Sequence, residues 1–110
     1  MAKKQTTGRE QLGEFAPKFA QLNDDVLFGE VWSREEQLSP RDRSMITCAA
    51  LMAQGLFPQF EAHVQMAKAN GVTKDEMVEL ITHLAFYAGW PKAWSAFAIA
   101  KKYYTDEKSE

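Results

Sequence analysis

The sequence contains a single cysteine, and this scarcity excludes several kinds of protein. With only Cys48 among 110 residues, the chain cannot form an internal disulfide, a CxxC redox pair or a cysteine-based zinc site. No uninterrupted apolar run reaches the roughly 18–20 residues that a membrane-spanning helix needs. The N-terminal lysines are not followed by an apolar stretch, so no signal peptide is predicted. These absences favour a cytoplasmic protein that does not bind a membrane.

An excess of charge of one sign is also missing. Thirteen Lys and Arg stand against fifteen Asp and Glu, so no basic field indicates nucleic-acid binding. The two histidines have neither an HxH spacing nor a cysteine pair beside them, and no metal site is expected. Hydrophobic residues make up 45% and charged residues 25%, which is typical of a folded globular protein rather than a disordered one.

Few prolines and glycines occur, and they separate stretches with helical periodicity. Four prolines and six glycines stand between these stretches, and no segment alternates polar and apolar residues as strands do. Ser39-Pro40 predicts one helix start, Asn70-Gly71 predicts a helix end, and Thr73 with Glu76 predicts a capping box. The predicted helices cover residues 10–22 and 24–32, joined at 23–24, and residues 40–55, 58–70, 73–88 and 91–104.

The predicted fold class is therefore all-α. We expect one small helical domain of about six helices over residues 8–105. Polar flexible tails are expected at residues 1–7 and 106–110.

Large aromatic side chains are more numerous than one small core can hold. Seven Phe, three Tyr and three Trp fall on short helices, and a chain of this length removes only roughly two-thirds of its unfolded surface from water. Some of these side chains are expected on the surface, either singly, as is common, or together as an interface between copies of the chain. The composition favours an oligomer.

Both histidines are candidate acid–base groups. His83 shares a helical stripe with Glu79 and Tyr87, its neighbours at i−4 and i+4, and a carboxylate at that position can orient an imidazole. His63 also lies in mid-helix among apolar residues. The alternative for each is a histidine at the margin of the core with local hydrogen bonds, and spacing alone favours that alternative.

Three arginines lie close together around the predicted start of the third helix. Arg34, Arg41 and Arg43 fall within ten residues, although Arg41 and Arg43 point to different faces of the helix. An arginine near the free N–H groups of a helix N-terminus can bind a carboxylate. The alternative is ordinary surface pairing with the acidic residues beside them, which contributes little to stability.

Five stretches, taken in order, resemble the carboxymuconolactone decarboxylase family. They are VWSR (31–34), LSPRDRS (38–44), FEAH (60–63), NGVT (70–73) and THLAFYAGWP (82–91). The resemblance spans about residues 8–104, and the last stretch is its most specific part. It implies the helical fold shared with alkylhydroperoxidase-D-like proteins, which commonly assemble as trimers or hexamers.

The peroxidase-like branch of that superfamily carries a CxxC followed by three residues and a histidine, with a glutamate one helix earlier. Aligning that histidine with His63 places Leu56 and Gln59 at the cysteine positions and Ser44 at the glutamate position. Leu and Gln cannot replace a thiolate nucleophile and its resolving partner. The resemblance therefore implies a protein without thiol peroxidase activity.

What the resemblance implies instead is decarboxylation of 4-carboxymuconolactone to the 3-oxoadipate enol-lactone. No cofactor is required, because the lactone carbonyl accepts the developing charge. In this reading His83 is the proton donor, oriented by Glu79 or by a carboxylate of a neighbouring subunit, and His63 is the second candidate, acting on the enolate oxygen.

The residues assigned to substrate binding follow from the same reading. Arginine suits the retained carboxylate, and aromatic side chains suit the apolar part of the pocket. The candidates are Arg34, Arg41 and Arg43 for the carboxylate and Phe86, Tyr87 and Trp90 for the apolar wall, with Glu30 and Glu61 as lesser candidates. Two alternatives stay open: an enzyme of the same scaffold acting on another small carbonyl or carboxylate compound, and a non-catalytic helical oligomer that binds a small ligand.

Overall fold

The computed structural model describes residues 5–105, and all the regular elements within that range are helical. They are α1 (Thr7–Leu12), α2 (Pro17–Gln21), a π-helix (Leu22–Val31), α3 (Pro40–Gln54), α4 (Phe57–Ala69), α5 (Lys74–Ala88) and α6 (Trp90–Tyr104). The prediction of an all-α chain with about six helices is confirmed. The chain divides into two compact units between residues 40 and 41, and each is described by itself.

The predicted tails fall mostly outside the described residues. Residues 1–4 and 106–110 are not described. Helix α1 begins at Thr7, which is the last residue of the predicted N-terminal tail, 1–7. No helix between residues 5 and 105 combines the length and the hydrophobicity that crossing a bilayer requires. The cytoplasmic location stays a prediction.

A buried carboxylate organises the first unit. Asp24 lies on the π-helix and is fully shielded from solvent. Its two oxygens accept the backbone N–H groups of Gly8 and Arg9 at 2.9 and 3.0 Å, which are among the free donors in the first turn of α1. A side chain on Gly8 would place its Cβ 2.7 Å from Asp24 Oδ1. Glycine is therefore required at this close approach.

The helix boundaries predicted for this unit were wrong. The predicted helix 10–22 is interrupted after Leu12 and restarts at Pro17, which occupies a first-turn position where proline is favoured. The predicted joint at 23–24 lies inside the π-helix, where the N–H of Trp32 bonds the carbonyl of Leu27 at 2.9 Å. An i→i−5 hydrogen-bond pattern has no residue signature comparable to a helix cap.

Apolar side chains from α3 to α6 form the core of the second unit. In α6 the buried stripe consists mainly of alanines, and small side chains allow helices to approach closely. The hydroxyl of Tyr104 donates to the buried carbonyl of Val72 at 2.8 Å. The core residues are Cys48, Met52, Phe60, Val64, Ala67, Val72, Met77, Ile81, Ala85, Ala93, Ala96, Ala100 and Tyr104.

Local caps determine where α5 begins and ends. Thr73 Oγ1 accepts the N–H of Glu76 at 3.1 Å, and Glu76 Oε1 accepts the N–H of Thr73 at 3.0 Å. The predicted capping box is therefore confirmed. Gly71 and Gly89 flank the helix with φ values of +95° and +115°, a region that favours glycine. The caps therefore define the extent of the helix that carries the polar side chains of the candidate site.

Candidate active site

A groove between α3 and α5 brings together three of the predicted site residues. Its cavity volume is about 570 Å³. Arg41 lies at the start of α3, and Glu79 and His83 lie one turn apart on α5. The other lining residues are Met45, Ala49, Glu76, Leu80 and Leu84. This α3–α5 groove combines a cation, two carboxylates and an imidazole with apolar walls.

Helical geometry explains the polar stripe on α5. Residues three or four positions apart project from one face of a helix. Glu76, Glu79 and His83 have this spacing, and the capping box fixes the start of the helix that carries them. The α5 half of the groove was therefore predictable from sequence, whereas its apposition to α3 was not.

Arg41 is paired in this structure. Its Nη2 donates to a carboxylate oxygen of Glu76, and its Nη1 donates to Asp42 Oδ1 at 2.9 Å. The hydrogen bond from the Thr73 backbone N–H, together with the pairing to Arg41, holds the pKa of Glu76 below its usual range. Glu76 is therefore ionised at neutral pH and offsets the charge of Arg41.

The imidazole of His83 is exposed and lies against Tyr87. Their ring centroids are 4.9 Å apart, with the planes inclined by 33°. Glu79 is also exposed, and the described residues show no hydrogen bond between its carboxylate and His83. An exposed imidazole in a groove can exchange a proton with a ligand. That Glu79 orients His83 stays a prediction.

His63 occupies a different environment. It lies in the middle of α4, is half-buried, and is not among the described residues that line the α3–α5 groove. Its Nδ1 atom is shielded from solvent, and burial lowers the pKa of the imidazole. The structure therefore does not bring the two histidines into one groove.

Arg43 is not among the described residues that line the groove with Arg41. Arg43 is two residues further along α3, and a step of two residues turns a side chain to roughly the opposite face of a helix. Arg34 lies in the first unit and is exposed, as is the lesser candidate Glu30. Of the two candidate arginines in the second unit, Arg41 lines the groove with His83 and Glu79, and Arg43 is not among its described lining residues.

None of the three residues of the predicted aromatic wall is among the described residues that line the groove, although the ring of Tyr87 lies against His83. Phe86 and Trp90 meet edge to face with ring centroids 5.8 Å apart. Trp90 and Trp94 line a separate apolar pocket of about 290 Å³ between α5 and α6. We call Phe86, Tyr87, Trp90 and Trp94 the aromatic face, and its members are 57–78% exposed. The predicted surplus of exposed aromatic side chains is confirmed.

Glu61, on α4, forms hydrogen bonds with side chains of α6. Its Oε2 accepts hydrogen bonds from Lys102 Nζ at 2.7 Å and from the Tyr103 hydroxyl at 2.5 Å. Lys102 first, and then Tyr103, lower the pKa of this carboxyl. Glu61 thus links α4 to α6 and is not among the described residues that line the groove.

The residues at the superfamily's redox positions give no redox site. Leu56 and Gln59 are exposed, and Ser44 is buried, where its hydroxyl accepts a hydrogen bond from Asn70 Nδ2 at 2.9 Å. Cys48 is fully buried, and burial raises the pKa of its thiol to about 12. A neutral buried thiol is a poor nucleophile.

Among the charged residues of the groove, Glu76 was missed as a functional candidate. It was predicted as part of the capping box and on the stripe of His83, seven residues before it, but no functional role was assigned to it. That spacing was the available signal, but the contact with Arg41, 35 positions away, was not predictable. Among residues 5–105, no three His, Cys, Asp or Glu side chains gather closely enough to hold a metal ion.

Comparisons with known proteins agree with the resemblance found in the sequence. The chain is 38% identical over 97 residues to a 4-carboxymuconolactone decarboxylase of Acinetobacter baylyi, an alignment that covers 88% of this chain and 72% of that protein. It is 33% identical over 88 residues to an uncharacterized 15.0 kDa protein of Paracoccus denitrificans, covering 78% of this chain and 65% of that protein. It is 32% identical over 86 residues to a nitrosuccinic acid decarboxylase of Metarhizium robertsii, covering 78% of this chain and 59% of that protein.

The chain therefore spans less than two-thirds of the length of the latter two relatives. The sequence model of the carboxymuconolactone decarboxylase family matches residues 17–102, which is most of the chain. This protein belongs to the carboxymuconolactone decarboxylase family.

Proposed function

We propose that this protein is a cofactor-independent decarboxylase of a small carboxylic acid, with 4-carboxymuconolactone as the first substrate to test. The observation that carries the proposal is the α3–α5 groove, which places Arg41, Glu79 and His83 on one lining with apolar walls. The names of two relatives, a 4-carboxymuconolactone decarboxylase and a nitrosuccinic acid decarboxylase, support a reaction that removes a carboxyl group.

The chemistry of both named acids is compatible with a site that has no electron sink of its own. Loss of CO₂ breaks the bond between the carboxyl carbon and its neighbour, and the electron pair passes to an electron-withdrawing group. A lactone carbonyl or a nitro group on the substrate can accept that pair. The protein then needs to hold the substrate, stabilise the developing anion and return a proton to carbon.

Two of these three tasks, holding the substrate and returning the proton, have candidates in the groove. Arg41 binds a carboxylate that the substrate retains, because a guanidinium donates two parallel hydrogen bonds to such a group. His83 delivers the proton, and Glu79, one turn away, orients it. Met45, Ala49, Leu80 and Leu84 contact the apolar part of the substrate and limit its hydration.

The proposal is tested by measuring CO₂ release from 4-carboxymuconolactone by the purified protein, alongside an assay for thiol-dependent peroxide reduction. We expect release of CO₂ that depends on His83 and no peroxide reduction. CO₂ release that is equal in the wild type and the His83→Gln variant would contradict the assigned site. No release from this lactone, with turnover of another small acid, would favour the alternative of a related enzyme on the same scaffold.

We further propose that the aromatic face packs against a second copy of this chain, in a trimer or hexamer. Four large rings at the α5–α6 corner are exposed, and Tyr87 connects them to His83, so a second copy seated there would also shield the groove from water. Sedimentation velocity at micromolar concentration should show an oligomer, and Trp94→Gln should shift it toward smaller species. A stable wild-type monomer would contradict this proposal.

A further inference from the structure

Glu76 is held at both of its carboxylate oxygens. Oε1 accepts the backbone N–H of Thr73 at 3.0 Å as part of the capping box. Oε2 accepts a hydrogen bond from Arg41 Nη2. One carboxylate thus caps α5 and pairs with the arginine at the start of α3.

This pairing matters because of where it lies. Among the described residues that line the α3–α5 groove, Arg41 is the only Lys or Arg, whereas Glu76 and Glu79 are both carboxylates. Side chains of Arg41 and Glu76 are 37% and 36% exposed, so the pair is accessible to a ligand in the groove. A ligand carboxylate that approaches Arg41 therefore meets a guanidinium whose charge is already offset by Glu76 in the groove and by the neighbouring Asp42.

We propose that Glu76 is an internal competitor for Arg41, and that it limits how tightly the groove holds small carboxylates. The Thr73 N–H keeps Glu76 in place when the guanidinium turns toward a ligand carboxylate, so Arg41 returns to Glu76 when the ligand leaves. Glu76 is in this sense a specificity-determining residue, since a second anionic group near Arg41 weakens anion binding but not the binding of a neutral ligand of equal shape. The inference deepens the proposed function, on which it rests for the class of ligand.

The test is the binding of glutarate, a small dicarboxylate, observed through the imidazole NMR resonances of His83. Glu76→Gln keeps an oxygen that can accept the Thr73 N–H and nearly the same shape, but it removes the charge. We expect the variant to bind glutarate about threefold to tenfold more tightly than the wild type, as the loss of one nearby like charge in a solvated site predicts. The gain should shrink as salt is added, and the binding of the neutral diamide glutaramide should not change.

Two further variants serve as controls. Thr73→Ala weakens the capping box but retains the carboxylate of Glu76, so it should lower helix stability without tightening glutarate binding. The double variant Arg41→Gln with Glu76→Gln should lose the tighter glutarate binding of Glu76→Gln, because Glu76 competes with the ligand only for Arg41. If Glu76 had only a structural role, Glu76→Gln would not tighten glutarate binding, and no effect of the variant on that affinity would depend on Arg41.

The inference is overturned if folded Glu76→Gln binds glutarate no more tightly than the wild type, or if neither protein binds it. It is also overturned if Arg41→Gln binds glutarate as tightly as the wild type. The proposed reaction is judged separately, because glutarate binding requires no turnover. Tighter glutarate binding by Glu76→Gln together with no CO₂ release from 4-carboxymuconolactone would reject that substrate and retain the role of Glu76 as a competitor for Arg41.

Discussion

The middle of α4 and the middle of α5 each carry one histidine, but the two regions differ in what surrounds the imidazole. His63 on α4 is half-buried, with Nδ1 shielded from solvent and a lowered pKa. His83 on α5 is exposed, contacts Tyr87 and lines a groove that contains Arg41. A mid-helix position alone therefore does not indicate whether a histidine can take part in acid–base chemistry, because the surroundings of the imidazole depend on the helices packed beside it.

The largest expected effect is that of replacing His83. A positioned general acid contributes roughly 10²–10⁴-fold to a rate, so His83→Ala should reduce turnover by at least about a hundredfold. His83→Gln keeps hydrogen-bonding capacity but cannot donate an acidic proton near neutral pH, and it should lose almost as much. Turnover is measured per folded molecule, with folding checked by circular dichroism.

A contrary result for His83 would mean that α5 does not carry the catalytic histidine. Near-normal turnover in His83→Gln would exclude the proton donor on α5. The search for that donor would then move to His63 on α4.

The expected effect of replacing Glu79 is smaller. Glu79→Gln removes the carboxylate one turn before His83 but leaves the imidazole in place, and we expect about a tenfold loss of turnover. The loss should fall on kcat with KM nearly unchanged, because a residue that orients the proton donor acts on the chemical step. Turnover equal to that of the wild type would show that Glu79 does not act through His83.

For His63 we expect a modest effect on turnover and a clear effect on stability. His63→Gln should lower turnover by less than about tenfold, since His63 does not line the groove. In the wild type, the unfolded chain protonates His63 near pH 6.5, whereas burial lowers the pKa in the folded state. As the pH falls below about 6.5, the unfolded state therefore binds the proton first and the free energy of unfolding decreases.

Thermal unfolding between pH 7 and pH 5 measures this contribution of His63. The midpoint should fall with pH in the wild type and fall less in His63→Gln. Parallel pH profiles for the two proteins would show that His63 does not titrate as its burial indicates.

The smallest expected effect on activity is that of Cys48. Its buried thiol has a pKa raised to about 12, so it should not react with a thiol reagent such as DTNB in the folded protein. Cys48→Ala should lower stability only modestly and leave turnover within about tenfold of the wild type. A larger loss of turnover, or rapid labelling of the folded protein, would assign Cys48 a chemical role.

The α5 side of the site was largely predictable, because its determinants are local. The capping box at Thr73 and the glycine at Gly89 delimit the helix, and the helical repeat then places Glu79 and His83 on one stripe. The first unit was predicted less well. A π-helix and a carboxylate that caps another helix depend on contacts between residues distant in sequence, such as that of Asp24 with Gly8.

The helical class, the limits of α5 and the absence of a cysteine pair could be inferred from the sequence alone, because caps, periodicity and composition are properties of the chain. Three-dimensional contacts were needed to show which histidine is shielded, that Arg41 rather than Arg43 lies beside His83, and that Glu76 pairs with Arg41 across 35 positions. A helical repeat fixes the direction of each side chain relative to its own helix, whereas the placement of α3 beside α5 determines which of those side chains meet.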